Sequence, residues 1–223
     1  MRDVTLVFDL DGTLVDTAPD LILAANHVFT SRGLEAVAPE RLKPEISFGA
    51  RQMIAAGLRY QSVPFTEPEL DRMLDTFLAY YTDNIAVESR PFDGLVDVLE
   101  GCLSEGATLA VCTNKREDLS RQLLEQLGLL SMFRALAGRD TFPVCKPHPD
   151  HLFGAIRLAG GDPACAVMVG DSEVDVKTAK AAQIPVIGVT FGYTHVPVPD
   201  LAPDAVIDDY REFRAALGRI LAH

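Results

Sequence analysis

The chain has no tryptophan and few basic residues: 20 Lys and Arg stand against 32 Asp and Glu, a formal charge of -12 over 223 residues. A negative field of that size works against nucleic acid or an anionic membrane surface as a partner. Long apolar runs are also missing. No stretch approaches the roughly 20 residues that a membrane-spanning helix needs. The first strand pattern begins at Val4, so no secretion leader is expected and a cytoplasmic location is the default. The four cysteines, Cys102, Cys112, Cys145 and Cys165, form no Cys-x-x-Cys pair and lie in largely apolar surroundings, the pattern of reduced core thiols rather than of disulfides or a zinc site. There is no internal repeat and no low-complexity segment. What the chain does have is apolar content, 48%, enough for one sizeable core or for a core domain with a small second one.

The rest is organised around residues 4–16, VTLVFDLDGTLVD. A β-favouring apolar run leads straight into Asp9, Leu10, Asp11 and Gly12. Buried strands seldom end in carboxylates. Alternation along a strand lets Asp9 and Asp11 aim toward one region while Leu10 packs the other way, and Gly12 permits a tight departure. Two acids that close repel unless a divalent cation or a shared proton intervenes, and Mg2+ is the hard, oxygen-seeking ion that suits them. Taken alone, the pair reads equally well as turn residues after a strand.

Residues 17–88 carry only helical patterns. Thr17 to Asp20 reads as a capping box, followed by one amphipathic helix that Arg32-Gly33 stops, a short helical turn at 39–43, and helices over 52–60 and 68–82. Residues 15–19 and 88–94 bound the segment like two hinge linkers. From Gly94 on, helix and strand alternate, the pattern of a Rossmann-like parallel sheet with helices on both faces. The expected organisation is an α/β core from residues 1–16 and 89–223, with an all-helical segment, 17–88, inserted after the first strand.

Ligands of such sheets bind beyond the carboxyl ends of the strands, so polar residues that follow apolar strands are the ones to collect. Besides Asp9 and Asp11 these are Thr113 and Asn114, Lys146 in CKPHP, and Asp171 with Asp175 in GDSEVD. A hydroxyl, an amide and an ammonium are donors suited to phosphoryl oxygens. Singly, each has a plainer reading: an N-cap, a surface lysine, a turn aspartate.

Together, FDLDGT, the TN of VCTN, the K of CKP and GDSEVD resemble, in order, the four motifs of the haloacid dehalogenase-like superfamily, and the resemblance spans essentially the full chain. DTAPD, TNK, KPHP and FGY are most similar to its phosphoglycolate phosphatase group, although Arg116 replaces a frequent Pro and Gln183 a usual Gly. The resemblance implies a Mg2+-dependent phosphatase acting on a small phosphorylated metabolite, 2-phosphoglycolate foremost. Asp9 would be the nucleophile that forms an aspartyl-phosphate, and Asp11 the general acid and base. Thr113, Asn114 and Lys146 would hold the phosphoryl group. Asp9, Asp171 and the backbone carbonyl of Asp11 would bind the metal, with Asp175 orienting them, and residues 17–88 would form a cap. Arg51 is a candidate for a substrate carboxylate, with a plain surface arginine as the alternative. His148, His195 and Tyr193 have no assigned role. A phosphomutase of the same architecture and a phosphoryl-accepting receiver module stay open as alternatives, as does monomer against homodimer.

Overall fold

The computed structural model describes residues 3–222; residues 1, 2 and 223, which the expected core range includes, lie outside them. In chain order the elements are β1 (Thr5–Phe8), β2 (Val15–Asp16), α1 (Ala18–Thr30), α2 (Pro39–Leu42), α3 (Ala50–Tyr60), α4 (Glu67–Asp83) and β3 (Arg90–Pro91). They continue with α5 (Leu95–Ser104), β4 (Thr108–Cys112), α6 (Glu117–Gln126), β5 (Ala135–Ala137), α7 (Pro149–Leu158), β6 (Ala166–Gly170), α8 (Glu173–Ala182), β7 (Val186–Val189), β8 (Ala205–Ile207) and α9 (Phe213–Leu221).

Six strands form one parallel sheet in the order β5-β4-β1-β6-β7-β8. β1 lies between β4 and β6, with Val7 opposite Ala110 on one side and Met168 on the other. Every residue of β1 is buried, because helices cover both faces. Alternation divides its side chains: Leu6 and Phe8 join one apolar cluster, and Val7 joins the other, with Leu152 and Ile156 of α7 and Ala179 of α8. The cluster that takes Leu6 and Phe8 continues without a break into Phe29, Met53 and Phe77 of α1, α3 and α4. The chain reverses direction across the sheet at β1, which opens a crevice beyond the carboxyl ends of β1, β4 and β6.

The two expected linkers meet as a short antiparallel ribbon, Val15 opposite Pro91 and Asp16 opposite Arg90. The start of α1 differs from the sequence expectation. Thr17 makes no side-chain cap, and its buried hydroxyl has no hydrogen-bond partner. Asp20 does not reach back to the helix start; its carboxylate accepts from the backbone N–H groups of Glu88 and Ser89 and from the Ser89 hydroxyl. A buried carboxylate needs several donors at once, and the returning chain supplies more of them than a local box does. Capping boxes do form at Thr66 and Glu69 on α4, and at Ser172 and Asp175 on α8. Gln183 ends α8 at φ +57, the left-handed position for which glycine is the unstrained choice.

Candidate active site

Asp9 is the first residue beyond β1, and its backbone N–H still follows the ladder, donating to the Val169 carbonyl at 2.9 Å. Its Oδ1 accepts from the Leu10 N–H at 2.7 Å and lies 2.9 Å from the Lys146 ammonium. That ammonium also donates to Asp175 Oδ1 at 2.6 Å, while Asp175 Oδ2 accepts from the Ser172 N–H and hydroxyl. Asp171, beyond β6, accepts from the Thr13 hydroxyl at 2.9 Å and from the Tyr193 N–H at 2.6 Å. Such close approach requires glycine: Gly12 has φ +82, and a Cβ there would lie 2.5 Å from Asp171 Oδ2.

Oxygens of Asp9, Asp171 and Asp175 fall within 4.8 Å of one another. Three buried carboxylates with one ammonium, which contacts Asp9 and Asp175, leave an excess of negative charge. Burial, only partly offset by Lys146, pushes the Asp9 carboxyl up to about 6. Burial, with Asp175 and Asp9 nearby, holds Asp171 well above the usual carboxylate range. Burial disfavours the Lys146 charge, but Asp175 and Asp9 outweigh it and raise its pKa. An all-oxygen donor set short of positive charge fits a hard divalent cation of the Mg2+ type. Asp175, already bonded to Lys146 and Ser172, is the least free of the three to ligate.

Asp11 faces a different neighbour. Its carboxylate lies 3.1 and 3.3 Å from the Lys115 ammonium, which in turn donates to the Tyr81 hydroxyl of α4 at 2.8 Å. Burial pushes the Tyr81 phenol up to about 12, so it stays neutral. Lys115 stands directly after Thr113 and Asn114 in TNK, and a second cation beside two donors is a signal that sequence reasoning passed over. Thr113 is buried and does not cap α6; its hydroxyl accepts from the Lys115 N–H at 3.2 Å. The Asn114 amide donates to the Lys146 carbonyl at 3.0 Å, leaving its buried oxygen without a partner.

His151, unassigned by the sequence, supports this arrangement from below. Its Nδ1 accepts from the Lys146 N–H and its Nε2 donates to the Gly138 carbonyl, so the ring is neutral. Burial lowers it to about 4. Tyr193 was equally illegible, since its contribution to Asp171 is a backbone N–H. Its hydroxyl accepts from the Ala18 N–H and donates to Asp16, and its carbonyl accepts from the Ser47 hydroxyl.

A cavity of about 690 Å³ lies between the sheet rim and the helical segment. Asp9, Asp11, Thr113, Asn114 and Lys115 line its core side, and Ile46, Met53 and Phe77 its helical side. Arg51 lines it too, but its guanidinium is engaged by Glu67 at 2.5 Å and Asp71 at 3.0 Å, both on α4. Acids a helix away in sequence gave no hint of that pairing.

A parallel sheet whose rim gathers these carboxylates, donors and lysine defines a class. Residues 6–189 match the family model described as haloacid dehalogenase-like hydrolase, and the chain belongs to that family. It is a phosphoric monoester hydrolase. It is 44% identical to a phosphoglycolate phosphatase of Agrobacterium fabrum, covering 95% of this chain and 91% of that one. It is 47% identical to a phosphoglycolate phosphatase of Mesorhizobium japonicum, covering 92% and 90%. The crystal structure of a predicted phosphoglycolate phosphatase from Haemophilus somnus superposes with a TM-score of 0.89 at 28% identity, covering 97% of this chain and 98% of that one. Among the described residues no helix is long and apolar enough to cross a membrane.

Proposed function

We propose that this protein hydrolyses a small phosphate monoester, 2-phosphoglycolate foremost, through an aspartyl-phosphate on Asp9. The observation that carries the reading is the meeting of Asp9, Asp171 and Asp175 at one rim of the sheet, with Lys146 paired to Asp9 and Asp175. Phosphoryl transfer needs positioning and neutralisation of spread negative charge, and these groups supply both. Asp9, Asp171 and the backbone carbonyl of Asp11 would hold Mg2+, which when bound neutralises phosphoryl oxygens and the Asp9 carboxylate.

The chain's own residues carry the steps. Lys146 keeps Asp9 oriented by the contact at 2.9 Å, so that the other carboxylate oxygen attacks phosphorus. Asp11 protonates the departing oxygen and later takes a proton from the water that hydrolyses the acyl phosphate. Lys115, 3.1 Å away, compensates Asp11 whenever it is ionised. Thr113 and Asn114 bind the transferring group. Residues 17–88 act as a cap on the β2–β3 ribbon, closing over the ester and excluding bulk water. The relatives' names support phosphoglycolate as substrate, and the cytoplasm is the compartment that fits.

The test is phosphate release from a panel of 2-phosphoglycolate and sugar phosphates, with and without chelator. The expected result is preferential turnover of 2-phosphoglycolate, abolished by chelation and restored by Mg2+. Equal turnover of every ester removes the substrate assignment, and activity indifferent to chelator removes the metal.

A further inference from the structure

Four cations line the cavity: Arg51, Lys115, Arg116 and Arg139. Three are already compensated. Arg51 pairs with Glu67 and Asp71, Lys115 with Asp11, and Arg116 with Asp118 at 2.8 Å. Arg139, just beyond β5, has no ion-pair partner among the described residues. Its neighbour Asp140 also lines the cavity, but its Oδ1 accepts from the Glu117 N–H at the start of α6 at 2.8 Å, and among the described residues it forms no ion pair with Arg139.

The base of Arg139 is pinned. Its own N–H donates to the Lys115 carbonyl at 2.9 Å, and the preceding Gly138 is held by the Thr141 hydroxyl on its N–H and by His151 on its carbonyl. From that base the side chain reaches to the helical segment: Nη1 lies 3.7 Å from where a Cβ on Gly49 would sit. The guanidinium thus lines the cavity between its core side and the loop that starts α3.

We infer that Arg139 is the specificity-determining residue that receives a carboxylate carried on the alcohol portion of the substrate; this deepens, and rests on, the phosphatase reading above. A planar guanidinium takes a carboxylate through two parallel N–H donors, a geometry that no lysine in the cavity offers. In a protein of charge -12 whose cavity floor carries Asp9 and Asp11, a second negative charge on the ester is repelled unless an uncommitted cation meets it. Arg139 is that cation, and the carboxylate completes an ion pair that the described residues do not supply.

The experiment compares kcat/KM for 2-phosphoglycolate with that for ethyl phosphate, which lacks the carboxylate, in wild type, Arg139→Gln, Arg139→Lys and Arg51→Gln. An arm with a sugar bisphosphate separates a carboxylate from a second phosphate. Arg139→Gln is expected to lower the ratio of the two kcat/KM values about 10- to 100-fold, chiefly through KM for 2-phosphoglycolate, with partial rescue by lysine. Ethyl phosphate turnover serves as the internal check of folding. A wild-type preference that survives Arg139→Gln, or that is lost in Arg51→Gln instead, overturns the inference alone. So does a preference for the bisphosphate governed by Arg139. A wild type with no preference for 2-phosphoglycolate over ethyl phosphate overturns the substrate assignment and this inference together.

Discussion

Two lysine–carboxylate pairs serve the same crevice, and their contacts are of similar length: Lys146 to Asp9 at 2.9 Å and Lys115 to Asp11 at 3.1 Å. Their surroundings differ. Lys146, from the loop between β5 and α7, is shared with Asp175 in the first turn of α8, and Asp9 follows β1, so every group in that network belongs to the α/β core. Lys115 is shared with Tyr81, which comes from α4 in the inserted helices. The first pair is therefore assembled within the α/β core, without the inserted helices. The second is complete only while α4 holds its position, so Asp11, the proposed general acid and base, is linked to the helices that would cover the substrate.

Asp9→Asn should break the first pair at its chemical end, lowering kcat by at least about a thousandfold while leaving the Lys115 contacts intact. Single-turnover phosphate release measures it, and wild-type turnover would remove Asp9 as nucleophile.

Lys146→Met leaves two buried carboxylates uncompensated and should cost about 3–5 kcal/mol of stability. Lys115→Met strands one carboxylate with partial solvent access and should cost about 1–3 kcal/mol. Urea unfolding of both variants measures the gap, and equal losses would erase the distinction between the pairs.

His151 probes the support of the first pair through pH. Its folded pKa of about 4 lies below the ordinary value of 6.5, so the folded state binds fewer protons between these limits. The stability it contributes is complete above about pH 6.5 and is lost as pH falls through about 4. Asp9, raised to about 6, acts with the opposite sign over the same window, so the test is a difference: the stability of wild type relative to His151→Gln in thermal melts should fall as pH drops from about 6.5 to about 4, and a constant difference would mean that His151 is not the titrating group.

Tyr81→Phe is the mildest perturbation. It deletes one hydrogen bond to an ammonium, worth about 1 kcal/mol, and should lower kcat/KM several-fold without altering the Lys146 network. No change in kcat/KM would mean that the second pair works independently of α4.

The parts of the molecule legible in the sequence were those set by local pattern. Strand alternation and helical spacing located the six-stranded sheet and the helices, because each pattern is written within a dozen residues. An acid ending an apolar run marked Asp9 and Asp171 for the same reason. What escaped was pairing across distance. Arg51 finds its acids on α4, Asp20 finds donors on the returning chain, and Lys115 finds Tyr81, none of which any window of sequence contains. Backbone donors escaped as well, because an N–H has no letter.

Tyr193 joins those two kinds of invisibility in one residue. Its amide steadies Asp171, while its ring oxygen fastens the entry to α1. Evolution can edit only the latter: every replacement except proline preserves the amide. A lineage of such proteins can therefore retune how the helical lobe is tethered by changing a single phenol, without ever disturbing the carboxylate that the same residue steadies.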